Sequence, residues 1–183
     1  TSRLVGNPNL KPEDAKTYNV GFSYRGRDGW LDGLSFDLDY WRFNYQDLIV
    51  KQNEQALVNA DAACGGCTPD SVIRSNGAVV QVRATYVNAS SLETDGVDVS
   101  LGYAWDTERW GAFNASLSGT YVNSYRVQTT PNGPKISAVD NRNATNFARA
   151  IPDLRFTAGL TWSLADWQAF VGVNYVDDYG NDF

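Results

Sequence analysis

The chain has 183 residues, a net charge of −6 and a mean hydropathy of −0.38, which is enough length for one domain with a sizeable core. No basic stripe is present to neutralise phosphates, which argues against nucleic acid as a partner, and no run approaches the roughly 18 apolar residues of a membrane helix. A β-barrel stays open, because barrel strands alternate polar and apolar residues and average out as hydrophilic.

Thr1 opens no signal peptide and the chain holds no Met, so it reads as an internal piece of a longer protein. Its first predicted strand places Tyr18, Val20, Phe22 and Tyr24 on one face, opposite Asn19, Gly21 and Ser23. A short link from Gly26 to Gly33 leads to the second, with Leu34, Phe36, Leu38 and Tyr40 opposite Ser35, Asp37 and Asp39. Period-two alternation of this kind marks a strand with one apolar face. Trp41, Phe43 and Tyr45 then fall out of phase with that face. They are candidates for pointing to the other side, where they would meet a ligand or pack against a neighbouring element.

A long connection follows, from about Gln46 to Leu92. It carries the only two cysteines, Cys64 and Cys67, and the chain has no His, so a zinc site would lack two ligands. The Cys-Gly-Gly-Cys stretch lies among Ala, Asp, Gly and Pro rather than at the start of a helix, unlike a thioredoxin-type redox motif. A short local disulfide in an oxidising compartment is the preferred reading, with free thiols the alternative. Tyr86, close to the end of this connection, is a further ligand candidate.

The third predicted strand sets Val97, Val99, Leu101, Tyr103 and Trp105 opposite Asp98, Ser100, Gly102 and Ala104. After a link from Asp106 to Gly111, the fourth sets Phe113, Ala115, Leu117, Gly119 and Tyr121 against Asn114, Ser116, Ser118 and Thr120. Tyr125 stands at its exit. A second long connection runs from about Arg126 to Ile151, and its Asp140, Asn141, Arg142 and Asn143 are candidates for binding a hydrophilic ligand. The fifth strand has Leu154, Phe156, Ala158, Leu160 and Trp162 against Arg155, Thr157, Gly159 and Thr161; Ala165 and Asp166 turn into the sixth, with Trp167, Ala169, Val171, Val173 and Tyr175 against Gln168, Phe170, Gly172 and Asn174.

No charged residue occupies an apolar-face position, and aromatics gather at the ends of those faces. A soluble sandwich would also have apolar inner faces, but its outer faces are usually charged, whereas the faces here are mostly Ser, Thr, Asn and Gly. Alternating short and long links match the tight periplasmic turns and long external loops of outer-membrane barrels. The expected fold is therefore all-β, about six strands of a larger antiparallel transmembrane barrel, with the first, third and fifth strands running toward the periplasm. Six strands left open would expose unpaired edges to hydrocarbon, so further strands are expected outside this chain. Arg25, Asp37, Asp39, Asp98 and Arg155 would line the lumen and pair with wall groups or with a plug.

Several motifs occur in an order that resembles the TonB-dependent receptor family. Gly6-Asn7-Pro8-Asn9-Leu10-Lys11-Pro12-Glu13, with Tyr18 and Gly21 after it, is similar to the stretch leading into a descending strand. Leu34 to Trp41 with Asp47-Leu48-Ile49, then Leu92-Glu93-Thr94-Asp95-Gly96-Val97-Asp98-Val99, and Pro152-Asp153-Leu154-Arg155 resemble later strand starts and exits. Asp95 and Asp98 depart from the family, which often has a basic residue and Glu at those places. The resemblance spans nearly the whole chain, 1–183. It implies a barrel with 22 strands, and an N-terminal plug, a TonB-contacting segment and terminal strands that are absent here.

By that resemblance the protein would sit in the bacterial outer membrane, contact its lipid and import a scarce nutrient such as an iron-siderophore, cobalamin or a glycan, energised by the TonB complex. No catalytic residue, metal or cofactor is expected. A passive porin is the runner-up. An outer-membrane protease or lipase would commonly use His as general base, and the chain has none. A soluble carbohydrate-binding β-domain would use the aromatics as a ligand platform.

Overall fold

The structure is a computed structural model that describes residues 1–128, 135–142 and 151–181. In chain order the elements are β1 (Ser2–Val5), β2 (Asp14–Arg25), a 3-10 turn (Gly29–Leu31), β3 (Leu34–Lys51), α1 (Glu54–Ala63), β4 (Val72–Ser75), β5 (Ala78–Thr107), β6 (Gly111–Gln128), β7 (Ile136–Ser137), β8 (Asn141–Arg142), β9 (Leu154–Leu164), β10 (Trp167–Val176) and β11 (Gly180–Asn181). They fall into two compact units. One comprises Thr1–Ala15, Tyr45–Ser91 and Gln128–Gly133; the other comprises Lys16–Asn44, Leu92–Val127 and Pro134–Phe183.

The second unit contains all six predicted strands, as β2, β3, β5, β6, β9 and β10, in an open antiparallel sheet of order β10-β9-β6-β5-β3-β2. Their parity is as expected. Phe113, Ala115, Leu117, Gly119 and Tyr121 pair with Trp162, Leu160, Ala158, Phe156 and Leu154, and those residues from Trp162 to Phe156 pair in turn with Ala169, Val171, Val173 and Tyr175. Paired residues share a face, so one apolar surface continues across three strands. It is not a core: Val20 is 71% exposed and Val171 68%, and among the described residues the buried hydrophobic side chains are Val72, Val82, Ala84, Val122, Val127 and Ala138. None of the predicted apolar-face residues is among them, the reverse of a soluble domain's arrangement.

Aromatics mark both ends of this surface. At the short links, Tyr103 stacks on Trp105 and Trp105 on Phe113, each at 5.2 Å. The Tyr103 hydroxyl donates to the Trp30 carbonyl (2.9 Å) and Trp162 Nε1 to the Trp110 carbonyl (2.6 Å). With Trp167 at the last turn, five of the six tryptophans lie at this end. Tyr18, Tyr40, Tyr121 and Tyr175 stand toward the other, with Phe156 and Tyr175 stacked at 4.9 Å. Amphipathic rings in two belts suit the two interfaces of a bilayer.

The opposite face is tied by polar contacts. Arg25 makes an ion pair with Asp37 (2.9 Å), which also accepts from Ser23 Oγ (2.7 Å). Thr120 Oγ1 donates to Asp98 (2.7 Å) and Thr157 Oγ1 to Asn174 (2.8 Å). Phe170 is an apolar exception on this face. Its ring lies over Gly159 and Gly172, which are directly paired, and would contact a Cβ at either.

The first unit corrects the expected extent of the first long connection. β3 continues to Lys51 and β5 begins at Ala78, leaving between them a helix and a hairpin. α1 starts where the Asn53 side chain accepts from Ala56 N (2.9 Å), an N-cap that satisfies one of the helix's orphan donors. β4 and β5 are joined by Asn76-Gly77 with φ of 50° and 82°, the left-handed pair favoured in a two-residue hairpin. β4 pairs antiparallel with β5, Val72 opposite Val82. β1 pairs with β5 in parallel, from Ser2↔Val82 to Val5↔Thr85, an exception to the antiparallel expectation. Cys64 caps the end of α1 and is disulfide-bonded to Cys67, with Cα atoms 5.6 Å apart.

The Asn-Pro-Asn-Leu-Lys-Pro-Glu stretch acquires a structural role here. Asn7 Nδ2 donates to the Tyr86 carbonyl (2.9 Å), and Asn88 accepts from Lys11 N (2.8 Å) while donating to the carbonyls of Lys11 and Asp47. Glu13 accepts from Ile49 N (2.8 Å). These side chains bond the backbone on either side of Asp47, which takes φ 54° within β3.

Asp61 is the polar centre of this unit, 1% exposed. It accepts from Thr68 N (3.0 Å), Thr68 Oγ1 (2.8 Å) and Arg74 Nε (2.9 Å). These donors, the Thr68 hydroxyl foremost, hold its carboxyl below the ordinary 3.8 despite burial. A depressed folded-state value means that the stabilisation is complete above the ordinary carboxylate range and is lost as pH falls through the folded value. The protection of α1 and β4 amides against hydrogen exchange, relative to their intrinsic rates at each pH, should therefore fall on acidification below about 4. In Asp61→Asn that acid step should be missing, and an unchanged step would assign it to another group.

Candidate functional site

Trp41 and Phe43 lie within β3 rather than at a loop entrance, and their rings are 5.6 Å apart. Trp41 sits over Gly96, where an added Cβ would come within 2.5 Å of both its Cζ2 atom and the Tyr121 carbonyl oxygen. Gly96 precedes Asp98 on the polar side of β5, so the Trp41 ring lies on the polar side of the sheet. Its packing partner is thus the glycine of a neighbouring strand, and a glycine there lets the indole lie flat. One face of the aromatic pair is taken by the wall.

Tyr45 and Tyr86 belong to the first unit; Tyr86 is within β5, not in a loop, and is 40% exposed. Tyr125 lies in β6, and its carbonyl accepts from Ala138 N (2.8 Å), holding the far side of the second connection. β6 runs to Gln128, and its Arg126 and Val127 pair with Ser137 and Ile136 of β7, so that connection too is partly structured.

Asp140 is an architectural residue. Its backbone is left-handed (φ 54°), its N–H donates to the Ile151 carbonyl (2.9 Å), and its carbonyl accepts from Gly180 N (2.7 Å). Its carboxylate accepts from Asp153 N (2.8 Å). Asn141 and Arg142 form β8 and pair in parallel with Gly180 and Asn181. Asn143 lies outside the described residues. Asp153 is pushed above the ordinary carboxylate value, first by burial and then by the Asp140 charge. Asp177 is held below it, first by the Asp178 N–H. Asp140 through Arg142 thus fasten the end of the second connection to the ends of β9 and β10.

Sequence reasoning missed three features that carried usable signals. Asn53-Glu54 before an Ala-rich run marks a helix start, Asn76-Gly77 between apolar residues marks a hairpin, and Gly96 facing Trp41 marks a close contact. The last needed the pairing of β3 with β5, which no local pattern encodes.

The six-stranded sheet is thus an apolar surface banded by aromatics with a polar opposite face. Residues 1–183 match in full the family described as TonB dependent receptor-like, beta-barrel. The chain belongs to this family. It is also similar to the heme/hemopexin utilization protein C of Haemophilus influenzae, with 31% identity over 117 residues, 61% of this chain. The matched part is 15% of that relative's length. In a TonB-dependent receptor barrel, the apolar surface faces lipid and the polar surface the lumen.

Proposed function

We propose that this chain forms part of the wall and outer mouth of a bacterial outer-membrane receptor that imports a scarce nutrient using TonB-coupled energy. The observation that carries the reading is the two-faced sheet with its aromatic belts, in a chain that belongs to the receptor family over its full length. The relative's name makes heme the first ligand to try, ahead of iron-siderophores, cobalamin and glycans. The further partners would be membrane lipid, a plug from the same polypeptide and the TonB complex. In this reading the described connections stand outside. Trp41 and Phe43 offer an aromatic contact in the upper lumen, and the segment between β6 and β9 contributes to ligand choice. The role is transport rather than catalysis.

The test uses the full-length protein in cells supplied with heme as iron source. Uptake should require TonB, while heme binding at the surface should not. Replacing 129–150 by a short Gly-containing turn should leave the barrel assembled, because β6 and β9 keep their pairing, and should weaken binding. Passive uptake that persists without TonB would support the porin reading instead.

A further inference from the structure

The polar face of β5, β6, β9 and β10 contains a cavity of about 560 Å3 whose lining includes Asp98, Ser118, Thr120, Arg155, Thr157 and Asn174. Register places Arg155 opposite Thr120, and Thr157 between Ser118 and Asn174, so Arg155 and Asn174 are diagonal neighbours on adjacent strands. The hydrogen bonds in the lining are oriented. Asn174 Oδ1 accepts from Thr157, which leaves the Asn174 amide N–H groups as donors, and Asp98 Oδ1 accepts from Thr120. The β9–β10 side is therefore donor-rich and positive, while the Asp98 carboxylate, with one oxygen hydrogen-bonded to Thr120, keeps its negative charge on the β5 side, two strands from Arg155. Arg25 on the same face is neutralised by Asp37. Arg155 forms no ion pair among the described residues.

We propose that this cavity is a binding subsite for the carboxylate of a small solute, seated on the Arg155 guanidinium with the Asn174 amide beside it. A guanidinium presents parallel N–H donors that match the two oxygens of a carboxylate. The Asn174 donors add a directional contact that a neutral polyol would not orient, and the Thr120 and Ser118 hydroxyls serve the remainder of the solute. Arg155 is the second residue of β9, directly after the second long connection, so the subsite lies close to the sheet end from which that connection departs. The proposal does not depend on TonB coupling or on heme as the ligand.

Arginine-selective labelling of the full-length receptor with phenylglyoxal, read by peptide mass spectrometry, tests it with citrate as probe. Protection grows as one plus the ratio of ligand concentration to Kd, so citrate at about ten times its Kd should slow Arg155 labelling about tenfold. Glycerol, and NaCl at matched ionic strength, should leave the rate unchanged, as should citrate at the turn residue Arg27. Asn174→Asp, which sets a carboxylate beside Arg155, should remove the citrate dependence. Equal slowing by NaCl would reduce Arg155 to a solvated charge. Arg155 that resists labelling before citrate is added would mean that a carboxylate of the polypeptide already occupies the place. Unchanged protection in Asn174→Asp would put the bound carboxylate elsewhere. Each of these three results overturns the proposal.

Discussion

Leu101→Arg should destabilise the full-length barrel by about 2–4 kcal/mol in folding titrations into lipid, while Ser100→Arg costs much less. The two residues are neighbours in β5, yet successive side chains point to opposite faces of a strand. Leu101 lies midway along the apolar face, between Val97 and Trp105, so an arginine there would place a charge near the bilayer midplane or distort the bilayer to reach water. Ser100 lies on the face where Asp98 already takes a hydrogen bond from Thr120, and a charge there remains solvated. Similar unfolding free energies for the two variants would remove the lipid and lumen assignment of β5 and of β6, which shares its polar face through Thr120 and Asp98.

Gly33→Ala should cost about twice as much as Gly29→Ala, although both glycines have left-handed backbones in the same link, with φ of 79° and 61°. Backbone strain alone is worth about 1–2 kcal/mol for either. At Gly29 an added Cβ meets nothing within 4 Å, whereas at Gly33 it would lie 1.9 Å from the Ala104 carbonyl oxygen. Gly33 also accepts from Ala104 N (3.0 Å), so relieving the clash would break the contact that joins the start of β3 to β5. Overpacking adds about 1–3 kcal/mol, giving a total of roughly 2–5 kcal/mol at Gly33. Measured on the full-length protein, equal costs at both positions would show that the link moves away from β5 freely.

The sequence by itself determined the six long strands, their two faces and their short turns. That information is local: an alternation over seven to nine residues such as Val97 to Trp105 specifies both an extended backbone and which side meets hydrocarbon. It also specified the family, because the motifs recur in order along the chain. The extent of β3 and β5 was hidden, since the alternation disappears past their apolar-face segments; Tyr86 fell within the first long connection and Tyr125 at the edge of the second for that reason. Only the tertiary structure decided that Trp41 rests on Gly96, that Asn88 fastens Lys11 to Asp47, that Asp61 holds Thr68 and Arg74, and that Asp140 is committed to the ends of β9 and β10. Each of these joins residues brought side by side by strand pairing or chain return. Whether a polar or aromatic side chain is free for a ligand or engaged by a neighbour depends on that neighbour's position, which residue type and spacing along one strand do not contain.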